Sequence, residues 1–451
     1  MARTIYDLII KNGVVVNHDG EGRRDVGVSG GVIVEIAAEI PASAADETIE
    51  CGGLHVLPGV IDSQVHFREP GPTHKEDLHT GSKAAVLGGV TAVFEMPNTN
   101  PLTVTADAIE DKLARAAGQV DHPGMYCDHA FYVGATHGNP KDLAELEQLP
   151  GVSGVKIFMG ASTGDLLVED DDGVREVLAH GRRRVAIHSE DEYLLREGKG
   201  RAIAGDWRSH PEARSVEAAV RCTDRLLRLA RQTGRRIHVL HISTADEISM
   251  LAANKDIATC EILPQHLTLE APDCYERLKG YAQMNPPIRD ARHREGLWAA
   301  VRGGVFDVMG SDHAPHTKEE KEKPYPASPS GMPGVQTTVP LMLTHVAEGR
   351  LTLQRFIDLM CHGPQRTFGI ANKGRLARGF DADFTIVDLK RAETITHAAQ
   401  ATRSGWTPFD GFRTKGWPVG TIIRGRRVMW DGELLGAPAG LPVRFQETVT
   451  G

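Results

Sequence analysis

Eight short apolar runs, separated by longer segments of helical periodicity, constrain this fold more than any other feature of the sequence. They read HVLPGVID from position 55, TAVFEMPN from 91, HAFYVGAT from 129, GVKIFMG from 154, RVAIHSE from 184, RIHVLHIS from 236, ATCEILP from 258 and DVMGSDH from 307. Runs this apolar suit strands buried on both faces, as in a parallel sheet. Between them, stretches such as TADAIEDKLARAAG, SVEAAVRCTDRLLRLARQTG, ADEISMLAANK and HREGLWAAVRGG repeat apolar residues at three and four spacing, and several stop at glycine. Eight βα units predict a (β/α)8, or TIM, barrel over residues 57–373. The outer segments differ: residues 1–56 and 374–451 alternate β-branched runs with glycine turns. Neither end has enough apolar surface to stand alone, so the two are expected to pair into one small β domain.

Composition narrows the partners. The formal net charge of −9 argues against nucleic acid or an anionic membrane surface, which leaves a small molecule as the expected partner. Six cysteines without a CxxC pair read as reduced thiols. No apolar stretch approaches the ~20 residues of a membrane span, and the N-terminus has no signal-like apolar region. A cytoplasmic protein is the expectation. KEEKEK at 318–323 reads as a solvated loop.

In a barrel of this type, reactive groups gather where strands end. Gln64, His66 and Arg68 close the first strand, Asn98 the second, His188 the fifth, His241 the sixth and Asp312 the eighth, with His316 four residues on; Lys156 lies inside the fourth. Any one histidine in an apolar strand is more simply a core residue, so the weight lies in the coincidence. Lys156 pays desolvation for its charge and should either find a carboxylate or become neutral, and a neutral amine can take up carbon dioxide as a carbamate able to bridge two metal ions. In GSDHAPH, Asp312 suits a carboxylate that contacts a metal and moves a proton, while His313 reads as structural. His238 and His241 lie on opposite strand faces, and His241 is the better ligand candidate.

These residues resemble the amidohydrolase superfamily and, within it, the dihydroorotases related to the hydantoinases. The likeness runs through LPGVIDSQVHFREPG, EMPNTNP, VKIFMGAST, AIHSEDE, HVLHIST, YAQMNPPIRD, GSDHAPH and KGRLARGFDADFTIVDL. It implies a distorted barrel plus a small β-sandwich from both chain ends, one or two zinc ions per chain and a carboxylated lysine at Lys156. By the same resemblance His66 and Asp312 would bind the more buried metal, His188 and His241 the other, and Lys156 would bridge. Arg68, Asn98, Asn285 and His316 would hold the carboxylate of a cyclic amide, and Asp312 would be catalytic. The implied reaction is reversible hydrolysis of dihydroorotate to N-carbamoyl-aspartate, and the expected assembly is a homo-oligomer, a dimer or tetramer.

Two positions depart from the family pattern. Gln64 stands where a first histidine is usual, as a weak ligand or as a hydrogen-bond donor to the hydroxide or the substrate, and Gln265 stands in LPQHL where a second consecutive histidine is frequent. Two alternatives therefore stay open: a hydantoinase- or allantoinase-like ureide amidohydrolase, and a catalytically silent scaffold for aspartate carbamoyltransferase.

Overall fold

The first sixty residues lay down β1 (Tyr6–Asn17), β2 (Gly20–Ser29), β3 (Val32–Ala37), β4 (Ala45–Glu50) and β5 (His55–Pro58) in the computed structural model, which describes residues 5–160 and 166–448. The last three residues of VKIFMGAST, Ala161 to Thr163, lie outside the described residues. The barrel follows as β6 (Val60–Val65), β7 (Val90–Glu95), β8 (Asp128–Gly134), β9 (Val152–Phe158), β10 (Val185–His188), β11 (Ile237–Val239), β12 (Ala258–Ile262) and β13 (Val308–Met309). All eight expected runs contribute a strand, paired in sequence order and in parallel. The ring closes between its first and last strands where Val65 bridges His313 and the His66 N–H donates to the His313 carbonyl at 2.7 Å. β14 (Phe384–Thr394), β15 (Arg413–Ile423), β16 (Arg426–Trp430) and β17 (Glu433–Leu434) then join β1 to β5 in one mixed sheet built from both chain ends.

The first run, HVLPGVID, divides between the two sheets. His55–Pro58 pairs with β1 and β14, and the barrel strand begins at Val60. Gly59 makes the junction: a Cβ there would stand 2.3 Å from Thr91 Oγ1 and 2.8 Å from Asp383 Cβ, so no side chain fits. The longest expected helix forms as Val216–Thr233, capped by the Ser215 side chain and ended by Gly234 at φ 68°.

Inside the barrel the two ends differ. Its amino-terminal half is filled by Ile61, Phe94, Tyr132, Ala186 and Val308, with Phe368 and Phe445 inserted from below. Phe445 arrives on a terminal segment that pairs with β8 through Pro442 and with Ile370. The last described residues thus lie under the barrel as well as following the end sheet. KEEKEK also differs from its expected solvated loop. Lys318–Lys321 forms a helical turn, and buried Lys321 donates from Nζ to the carbonyls of Gln283, Pro329 and Gly331 at 3.0, 2.7 and 2.7 Å, which replace its hydration. Among the described residues no helix is long and apolar enough to cross a membrane.

Candidate active site

One cleft of about 470 Å3 at the carboxyl ends of the strands collects all ten residues singled out in the sequence: Gln64, His66, Arg68, Asn98, Lys156, His188, His241, Asn285, Asp312 and His316. Strand alternation explains several placements. Along β9, Val155 and Ile157 face the helices while Lys156 and Phe158 face the cleft. Alternation fails elsewhere. Strand alternation would place Asp62 on one face with Gln64 and His66, but the β6–β7 register shifts between Asp62 and Val65. Asp62 instead accepts backbone N–H bonds from Gln64 at 3.2 Å and Ser311 at 3.0 Å.

His241 reaches the cleft by a different device. Parity along β11 sends His238 into the barrel, against the Phe368 ring 5.2 Å away. His241, of opposite parity, is turned inward by a left-handed backbone at φ 37°, and its N–H donates to Glu261 Oε1 at 3.2 Å. Arg68 and Asp312 also have positive φ, 66° and 45°. Strained backbone of this kind persists where surrounding structure holds it, and here three such residues face one cleft.

The nitrogen and oxygen donors fall into two pairs with the lysine as a fifth group. His188 Nδ1 and His241 Nε2 stand 3.0 Å apart, and His188 Nε2 faces Glu190 Oε2 at 2.8 Å. A carboxylate only accepts, so the His188 proton sits on Nε2 and its Nδ1 lone pair points to His241. Burial pushes Glu190 up, but Arg214 and His188 outweigh it and leave the carboxyl well below its ordinary range. Burial holds His188 and His241 below the usual imidazole range, hence neutral. On the other side His66 Nε2 lies 3.1 Å from Asp312 Oδ1, while His66 Nδ1 bonds Asn98 Oδ1 at 2.7 Å. Gln64 Nε2 donates to the same Asp312 Oδ1 at 3.0 Å, leaving Gln64 Oε1 buried with no hydrogen-bond partner among the described residues.

Lys156 is the least satisfied group. Its Nζ is buried, has no hydrogen-bond partner among the described residues and lies 4.5 Å from the centre of the Phe158 ring. Burial pulls its pKa down to about 7, against the raising effect of Asp312 and Glu261. The carboxylate partner considered from the sequence is therefore not within hydrogen-bond reach. Donor atoms sharing one zinc at ~2.0–2.1 Å stand roughly 3 Å apart, the separation of both pairs here. Neutral imidazoles, an aspartate and an orphaned amine thus fit divalent metal.

Arg68 lines the opposite wall. Its guanidinium is buried, donates from Nε to the Pro315 carbonyl at 3.3 Å and, among the described residues, meets no carboxylate within ion-pairing distance. Burial lowers its pKa to about 10. His316 Nε2 faces the Ser330 carbonyl at 3.0 Å and its Nδ1 faces Lys75 Nζ at 3.1 Å, so both ring nitrogens are engaged. Asn285 Oδ1 lies 3.2 Å from His210 Nε2 at the mouth. His313 is buried against Glu76 at 3.2 Å, a structural placement as expected. Sequence reasoning missed Glu190, although its place two residues beyond His188 at a strand end was a readable signal. It also missed Phe158, Ser330 and Gly331, which line the cleft without a chemical signature.

A parallel eight-stranded barrel with polar groups converging at its carboxyl ends, beside a sheet from both termini, defines an α/β-barrel enzyme. The chain belongs to the amidohydrolase family, whose model matches residues 55–428. It is 35% identical to a dihydroorotase of Halobacterium salinarum over 98% of this chain and 100% of that protein. It is also 32% identical to an L-hydantoinase of Paenarthrobacter aurescens over 96% of each chain. The solved structure of an L-hydantoinase (dihydropyrimidinase) from Arthrobacter aurescens superposes with a TM-score of 0.89 at 30% identity, covering 96% of this chain and 98% of that one.

Proposed function

We propose that this chain reversibly hydrolyses a cyclic amide that carries a carboxylate, dihydroorotate in particular, to N-carbamoyl-aspartate. The observation that carries the reading is Arg68: a buried guanidinium on the cleft wall, without a carboxylate of its own among the described residues, is a fork awaiting one. His66, Lys156, His188, His241 and Asp312 would hold one or two zinc ions, with Lys156 as a bridging carbamate. Bound ions of this kind supply Lewis acidity and lower the pKa of water. Arg68 and Asn98 hold the substrate carboxylate and so fix the ring carbonyl over the donor set. Asp312, steadied by Gln64, takes the proton from the attacking water and delivers it to the ring nitrogen as the C–N bond breaks. Glu190 keeps the His188 proton on Nε2, away from the cleft.

A second reading rests on the mouth. Asn285, His316 and Ser330 also line a wider vestibule of about 1160 Å3 whose wall includes Leu195, Ala213, Tyr325 and Pro329. That space would accept an apolar ring substituent, as a substituted hydantoin carries. Turnover measured on dihydroorotate, hydantoins and allantoin separates the readings. Arg68→Met should depress kcat/KM for dihydroorotate about a hundredfold and spare rings without a carboxylate. Undiminished dihydroorotate turnover in that variant would end the assignment.

A further inference from the structure

The far end of the barrel holds a second polar cavity, of about 570 Å3, unconnected with the chemistry above. Arg183, Arg184, Arg236 and Arg366 line it, and Glu447 is the one carboxylate on its wall. In a chain of net charge −9, this is a concentrated positive site.

Arg183 and Arg184 are held by neutral oxygens, whereas Arg366 bonds a carboxylate. Arg184 is anchored by backbone, donating from Nε to the Thr367 carbonyl at 3.3 Å and from Nη1 to the Ile237 carbonyl at 2.8 Å. Its Nη2 has no hydrogen-bond partner among the described residues, and no carboxylate stands within ion-pairing distance. Arg183 is buried and its two terminal nitrogens donate to the Val152 carbonyl and to Thr448 Oγ1, while its Nε has no hydrogen-bond partner among the described residues. The buried Thr367 Oγ1 on the same wall is likewise unpartnered. Glu447 meets the cluster at 3.8 Å from Arg183 Nε and 4.0 Å from Arg236 Nη2, too far for hydrogen bonds. Arg366 bonds Asp358 Oδ1 at 3.1 Å and faces His362 Nδ1 at 3.0 Å through the same nitrogen. Fixed forks, orphaned donors and one loosely held carboxylate describe a built anion site in which Glu447 occupies the ligand's place.

We infer that this cavity binds a phosphate group, free or borne by a small molecule, at the amino ends of β9, β10 and β11. Several guanidiniums around one space match the multiple oxygens of phosphate better than a single carboxylate does. The strands that begin there lead to Lys156, His188 and His241, so the ligand would sit at the opposite end of the catalytic strands.

Calorimetric titration of the metal-loaded protein with inorganic phosphate, at ionic strength held constant with chloride, tests the inference. Saturable binding is expected. The double variant Arg236→Gln/Arg366→Gln, at two half-exposed positions, should weaken it about tenfold or more. Glu447→Gln should tighten it several-fold by removing the competing carboxylate. Arg68→Met, in the other cleft, should leave it unchanged. Absence of saturable binding, indifference to the double variant, or loss with Arg68→Met would each overturn the inference. If the double variant does not fold, the Glu447→Gln titration decides: tightening supports the site, and no change rejects it.

Discussion

Gln64 shows how one residue reshapes a site without emptying it. Its NH2 donates to Asp312 Oδ1, the oxygen that also faces His66, so the amide orients the aspartate where an imidazole would have supplied a ligand. A carboxamide is the weaker donor to zinc. Gln64→His is therefore expected to raise divalent metal retention about tenfold, read as metal per chain after dialysis against a graded chelator. Equal retention in both proteins would contradict the reading, and no metal together with no turnover would favour the silent scaffold. Lys156 supplies a second test. With its pKa near 7, about nine-tenths of the amine is neutral at pH 8 and about one-tenth at pH 6. At a fixed concentration of dissolved carbon dioxide, zinc uptake by the metal-free protein should thus be sped several-fold more at pH 8 than at pH 6, and Lys156→Ala should abolish the difference. At this scale much was legible, because strand-end position and side-chain parity are local properties of the sequence. His241 marks the limit. Its inward turn depends on a left-handed backbone held by Glu261, which is remote in sequence and carries no local signal.

At the scale of elements, the eight barrel strands were readable because a two-faced burial demand leaves a continuous apolar run. Where one run serves two sheets the reading blurs, as at Gly59, since the division is dictated by what crowds the backbone from outside the run. The terminal segment was illegible for a related reason: it has no periodicity and derives its place from contacts with β8 and Ile370. Phe445 closes the barrel floor, with its ring 5.7 Å from that of Phe94. Removing a buried phenyl group costs the transfer energy and leaves a cavity. Phe445→Ala should cost about 3 kcal/mol in urea unfolding, within the usual range for such truncations. Amide turnover at 25 °C should stay near wild type, because the cleft lies at the other end of the barrel. A loss well below 1 kcal/mol would mean the segment merely rests on the floor.

The whole molecule carries a burden of buried neutral histidine that should set its response to acid. Burial pulls His129, His210 and His266 each down to about 4 from the ordinary 6.5. A group whose folded pKa is depressed contributes stability above its unfolded value and loses it as pH falls toward the folded one, here between about 6.5 and 4. At pH 5 the loss is about 2 kcal/mol for each ring, substantial beside the ~5–15 kcal/mol that holds a domain together. Asp62 and Glu95 act in the opposite direction, because burial raises them to about 6 and about 7 and protonation on acidification relieves that cost. The net slope is therefore a poor test, and a single substitution is a better one. His129 is buried beside Phe131 and, among the described residues, neither of its ring nitrogens is hydrogen-bonded, so Leu replaces it without orphaning a partner there. His129→Leu should be more stable than wild type, and its advantage should grow by about 2 kcal/mol between pH 7 and pH 5 as the unfolded wild-type chain gains the proton its folded form refuses. An advantage that is the same at both pH values would show that His129 takes up its proton in the folded state, and that its surroundings beside Phe131 are wetter than their packing implies.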